Sequence, residues 1–182
     1  MAPGPRLEEV RERLEGQVLS NERLRKWNFA LGDKGKWGKA NERLCGLEQN
    51  SSPEPDLDDG DLKTTVRQLD GRFRESVKVC IYGQDPLKKL EGIILAVARD
   101  QNDASTFEER EVRNECVVAL RPSPAVLRKL EFDREVLKDD PRSQDTHFLE
   151  TRTAGSRDSD SRAYYLRASS LEAYLGETVV HD

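Results

Sequence analysis

The segment that most restricts what this chain can fold into is Gly92 to Ala98, which reads GIILAVA. A continuous apolar run of this length leaves no alternate polar face for water. It is the pattern of a strand buried on both sides, as in a sheet with helices over each face. The rest of the pattern has to supply neighbouring strands for it and helices to cover it.

Five further segments read as strands. Asp61 to Val66 alternates and ends in β-formers, and Val77 to Tyr82 follows a hairpin-type turn at Leu69-Asp70-Gly71-Arg72. Asn114 to Leu120 is next, and His147 to Arg152 and Ala163 to Leu166 form a late pair around the polar loop Ala154 to Arg162. Leu7 to Leu19 places Leu7, Val10, Leu14 and Val18 at helical spacing and reads as a first helix. Leu24 to Leu31 shows no clear pattern. Gly32 to Gly38 reads as a glycine-punctuated loop, and Lys39 to Leu47 as a short helix with Leu44 and Leu47 inward. A capped helix is expected over Ala125 to Lys138 after Pro122-Ser123-Pro124, and a last one through Tyr174 capped by Ser169-Ser170. The order of helices and strands predicts an α/β fold, a mixed sheet flanked by helices in a single domain. Its N-terminal helical part spans about residues 6–48, and its sheet part about 49–182.

Composition narrows the function. Of the 182 residues, 36% are charged, and no window approaches the apolar length of a membrane span. The N-terminus lacks an apolar signal core, so a cytoplasmic protein is expected. Cys45, Cys80 and Cys116 are widely spaced and form no CxxC pair, which argues against a disulfide scaffold or zinc knuckle. Cys80 and Cys116 read as core residues, and Trp37 as a packing residue. The run Glu108 to Glu115 reads as a solvated face. A net charge of -5 weighs against nucleic-acid binding. It does not exclude it, since 30 Lys and Arg can gather on one face.

Chemistry concentrates in Pro53-Glu54-Pro55-Asp56-Leu57-Asp58-Asp59-Gly60-Asp61-Leu62-Lys63. Asp61 and Lys63 are two apart on an expected strand and leave from the same face. Asp56 lies on a loop able to fold back beside them. Clustered carboxylates, with only His147 and His181 as histidines, make a hard oxygen site suited to Mg²⁺. A lysine on that face can orient a water or neutralise charge on a phosphate. A DxK triplet also arises by chance in solvated loops.

The whole stretch resembles the PD-(D/E)xK nuclease motif, and more closely the MutH family of mismatch-repair nicking enzymes and related restriction endonucleases. Lys34-Gly35-Lys36-Trp37-Gly38 and Asn41-Glu42-Arg43-Leu44 resemble a family segment that contributes a helical glutamate, which places Glu42 in the active site. DLKT matches the family's ELKT, and Lys88-Lys89 stands where a further active-site lysine occurs. Leu149-Glu150-Thr151-Arg152 and Arg162-Ala163-Tyr164-Tyr165-Leu166-Arg167 resemble segments that read DNA. The short Asp56-to-Asp61 gap and an Asp in place of Glu at the second acid match restriction relatives better, and Asp58 or Asp59 are alternatives for the first acid.

The resemblance therefore implies a restriction-endonuclease-like fold and a Mg²⁺-dependent, sequence-specific endonuclease for double-stranded DNA. Asp56, Asp61 and Glu42 would hold the metal, and Lys63 and Lys88 would act on water or phosphate. Lys34, Lys36, Arg152, Tyr165 and Arg167 would contact DNA, with a second copy or a repair protein as partner. Plainer roles stand beside these. Tyr165 can fill a core, Arg152 can pair with a neighbouring acid, Lys88 can be an ordinary solvated lysine, and Glu42 a solvent-facing acid. The rival functions are a partner-activated nickase for hemimethylated DNA, a non-catalytic DNA-binding module, and a protein-interaction domain.

Overall fold

In a computed structural model, residues 6–47, 60–153 and 162–181 are described. The chain is mixed α/β, with two sheets and six helices among the described residues. Two compact units account for them. One comprises the described residues up to Arg74 together with Ile94–Ala119; the other comprises Glu75–Ile93 and the described residues from Leu120 onward.

The first unit begins with α1 (Leu7–Leu14), whose first turn carries Glu8 and Glu9 and whose last turn carries Arg11 and Arg13. That charge order complements the helix dipole. The helix is shorter than the Leu7-to-Leu19 periodicity suggests. Gly16 takes φ +78, and the chain then pairs Val18 and Leu19 (β1) antiparallel with Val112 and Arg113. Ser20 caps α2 (Asn21–Lys26) by accepting from the Arg23 N–H at 3.2 Å. The next helix, α3 (Lys36–Leu44), starts inside the stretch read as a glycine loop.

Strands β2 (Asp61–Arg67), β4 (Ile93–Asp100) and β5 (Val112–Leu120) complete a sheet in the order β1-β5-β4-β2. β4 is interior to the sheet, and every residue from Ile93 to Ala98 is buried, as its unbroken apolar run predicts. Ile94 and Ala96 pack with Val10, Leu14, Cys45, Leu62 and Val117, while Ala98 joins Leu19, Leu24, Trp37, Ala40 and Val66. The run Glu108 to Glu115 is not simply solvated. Arg110 is buried and donates from Nη2 to Asp100 Oδ1 at 3.0 Å, and Arg74 reaches Oδ2 of the same carboxylate at 2.7 Å.

The second unit holds β3 (Val77–Ile81), α4 (Pro86–Leu90), α5 (Pro124–Asp139), β6 (Leu149–Thr153), β7 (Arg162–Leu166) and α6 (Ala168–Thr178). Its sheet has the order β3-β7-β6, with both pairings antiparallel. Asp85 caps α4 and Ser123 caps α5, each followed by a proline at the first helical position. The last helix starts at Ala168, ahead of the expected serine cap, with Arg167 as its N-cap residue. Asp133, fully buried on α5, accepts the backbone N–H groups of His147, Phe148 and Leu149 at 2.6, 2.7 and 3.0 Å. Those bonds fix the entry into β6. Cys45 and Cys80 are buried; Cys116 is only half-buried, short of the core position expected for it.

Candidate functional site

Two surfaces carry the residues singled out by sequence, one in each unit. In the first unit, β2 begins at Asp61 directly after the acidic segment. Leu62, Thr64 and Val66 form one side of the strand. Leu62 and Val66 enter the two apolar clusters, and the Thr64 hydroxyl receives the Asn41 side-chain amide of α3 at 3.0 Å. Asn41 also exchanges bonds of 2.7 and 3.3 Å with Asn114 of β5, so α3 is pinned to the sheet by buried amides. Strand alternation puts Asp61, Lys63 and Thr65 on the other side.

Asp61 is 6% exposed and Lys63 is half-buried, about 6.5–7 Å apart along the strand by its rise alone. Thr65 is buried, and its hydroxyl has no hydrogen-bond partner among the described residues. Asp61 and Lys63 both lie within β2, two positions apart. Glu42 is half-buried on α3, which approaches β2 from the Thr64 side. Asp56, Asp58 and Asp59 lie outside the described residues, as does Glu54.

Among the described residues no group of three or more His, Cys, Asp or Glu side chains is placed to hold a metal. Asp61 contributes one largely buried carboxylate at the start of β2, an oxygen donor of the kind that hard cations take.

The basic residues divide sharply. Lys34 is exposed in the turn before α3. In that turn Asp33 pairs with Lys39 and accepts the Gly35 N–H at 2.8 Å. The Lys39 hydrogen bond is the first cause holding the Asp33 carboxyl below its ordinary range. Lys36, two residues on from Lys34, is fully buried. Its Nζ donates to the carbonyls of Leu31 and Phe107 at 2.9 and 2.8 Å and lies 4.4 and 4.3 Å from the ring centroids of Trp37 and Phe107. Burial lowers its pKa, and neighbouring Arg110 adds to the effect. Sequence placed Lys36 on a DNA-facing surface; in the fold it holds the α3 entry together. Trp37 is buried beside it, edge-on to Phe107, in the packing role expected.

In the second unit, the register of β3-β7-β6 defines a polar face. Lys78 and Glu150 both pair with Tyr165, and Ile81 and Arg152 both pair with Ala163, so these six residues point the same way. A bulge between Lys78 and Cys80 keeps Ile81 on this side. Lys78 and Ile81 are exposed, Tyr165 is half-buried, and the Arg152 side chain is 56% exposed. The opposite face carries the buried Val77, Cys80, Leu149, Tyr164 and Leu166; Tyr164 stacks on Tyr82 at 5.2 Å. Tyr165 is thus the outward member of the Tyr164-Tyr165 pair.

Arg152 makes the pairing with a neighbouring acid that its sequence context allowed. Its Nη2 is 2.7 Å from Glu150 Oε1, and its guanidinium carbon lies 5.8 Å from the Tyr165 ring centroid. Arg167 turns inward, its Nη2 donating to the Thr146 hydroxyl at 2.6 Å, where the sequence reading had it on DNA. Lys88 is exposed on α4. The motifs in the sequence assign Glu150 no role of its own. The available signal was its i, i+2 spacing to Arg152, which puts both on one strand face.

Searches against models of known protein families and against curated proteins give no match.

Proposed function

We propose that the chain is a Mg²⁺-dependent endonuclease that cuts double-stranded DNA at specific sequences. The carrying observation is that the acid and the amine of the Asp61-Leu62-Lys63 triplet share one face at the start of β2, immediately after the acidic segment. The ordered resemblance of the surrounding motifs to MutH-type nucleases supports the same reading. A second support is the outward face of the other sheet, where Lys78, Arg152 and Tyr165 combine positive charge with an aromatic ring.

The chemistry follows from the charges. Hydrolysis of a phosphodiester places extra negative charge on the non-bridging oxygens as water attacks in line. Lys63, on the same face as Asp61, neutralises that charge or orients the attacking water. Asp56 and Asp61 would hold the cation, with help from Glu42, and Asp58 or Asp59 are the alternatives to Asp56. A bound Mg²⁺ supplies Lewis-acid polarisation of the phosphoryl oxygen. Half-burial of Lys63 and near-complete burial of Asp61 lower the local dielectric, which strengthens both effects. At the second face, arginine offers a guanine edge two parallel donors, which is the physical basis for reading sequence there.

The test is incubation of supercoiled plasmid of known sequence with the protein alone in Mg²⁺, followed by mapping of the ends. Discrete fragments whose ends share a sequence support the restriction-type reading. Nicked circles that require a repair partner shift it to the nickase. A mobility shift without cleavage rejects catalysis.

A further inference from the structure

On the polar face of the β3-β7-β6 sheet, one carboxylate is nearly buried among cations and an aromatic ring. Glu150 is 8% exposed and sits directly across from Tyr165. Its Oε1 accepts from the Ser76 hydroxyl at 2.7 Å and pairs with Arg152 Nη2 at 2.7 Å; its Oε2 is 3.8 Å from Arg167 Nε. Ser76 completes the arrangement. Having given its only proton to Glu150, its oxygen accepts from Arg152 Nη2 at 3.2 Å and from the Ala168 N–H at 3.1 Å. One corner of the Arg152 guanidinium is therefore fixed by two oxygens, beside the Tyr165 ring. The side chain stays more than half exposed.

We infer that Glu150, with Ser76, is a positioning residue that presets Arg152 over Tyr165 as a reader of base edges, and thereby sets sequence selectivity. This rests on the nuclease reading above. Two physical effects act together. A long arginine held in place before binding loses less freedom when the duplex arrives, and its donors arrive with a defined direction. The carboxylate also cancels one positive charge, which weakens attraction to phosphates of any sequence. Both effects favour a matching duplex over the average one.

The variant is Glu150→Gln, which keeps the shape and an oxygen acceptor for Ser76 but removes the charge. Two measurements are made on the full chain. Nitrogen-15 NMR of the Arg152 guanidinium, without DNA, reports whether it is held. Selection from a random-sequence duplex library in Ca²⁺, which allows binding without cutting, reports the ratio of preferred to average affinity. Glu150→Gln is expected to speed guanidinium rotation, to lower the ratio about tenfold, and to steepen the salt dependence of average binding. A carboxylate that only stabilises the fold lowers binding to all sequences by one factor; an unchanged ratio overturns the proposal. Unaltered Arg152 resonances in the variant overturn it alone. A wild-type chain that binds no duplex overturns the nuclease reading and this inference together, and the DNA-free NMR separates that case from the others.

Discussion

Replacing Lys36 by Met separates a folding role from a DNA role, and the structure gives the size of the effect. Met keeps most of the aliphatic length between Trp37 and Phe107 but removes the ammonium and its bonds to the Leu31 and Phe107 carbonyls. Two charge-assisted bonds are together worth about 3–6 kcal/mol gross, and the ring contacts add about 1–2 kcal/mol. Opposing this is relief from burying an ammonium, worth several kcal/mol. The net expectation is a loss of about 2 kcal/mol, or about 4–8 °C in melting temperature for a chain of this size. The pH dependence carries a second signature. Burial lowers the folded-state pKa of Lys36 below 10.5, so the folded chain releases this proton before the unfolded chain does. Stability from this group therefore rises with pH across the interval that ends at 10.5, and Lys36→Met abolishes that rise. The assay is thermal melting from pH 7 to pH 10.5, alongside binding to duplex DNA. A variant with unchanged melting but lost DNA binding would refute the inward role.

Other variants probe separate parts of the account. Asp133→Ala removes the acceptor of three backbone N–H groups at the start of β6 and is expected to cost about 3–5 kcal/mol in denaturant unfolding. The Cys45 thiol is pushed up to about 11 by burial, which leaves about a thousandth as thiolate at pH 8. Alkylation of folded protein at that pH should leave Cys45 unmodified until denaturant is added; rapid labelling of the native chain contradicts its burial.

How much of this was legible in the sequence depended on how local the deciding physics is. β4 was readable because a run with no polar alternate has one solution, a strand covered on both faces. β2 was readable through its alternation, and with it the shared face of Asp61 and Lys63. The helix over Ala125 to Lys138 was signalled by its own Ser-Pro cap. Where distant partners decide, the sequence was silent. Nothing near Val18 shows that it pairs with Arg113. The KGKWGK run looks solvent-facing until Phe107 arrives to accept the Lys36 ammonium from 71 positions away. Glu108 to Glu115 looked like a charged surface because Asp100, the partner of Arg110, lies on the preceding strand. The clamp on Arg152 joins residues 74 and 76 positions apart, so only half of it, the Glu150–Arg152 spacing, is visible locally.

We propose above all that Asp61 holds a divalent cation against a DNA phosphate while Lys63, on the same face of β2, neutralises phosphate charge or orients the attacking water. Single-turnover cleavage of duplex DNA in Mg²⁺, compared between wild type, Asp61→Asn and Lys63→Ala at matched melting temperature, tests it most directly. The expected result is cutting by the wild type that stops on chelation, and a rate lower by more than about a hundredfold in each variant. Cleavage at the wild-type rate by folded Asp61→Asn would contradict it.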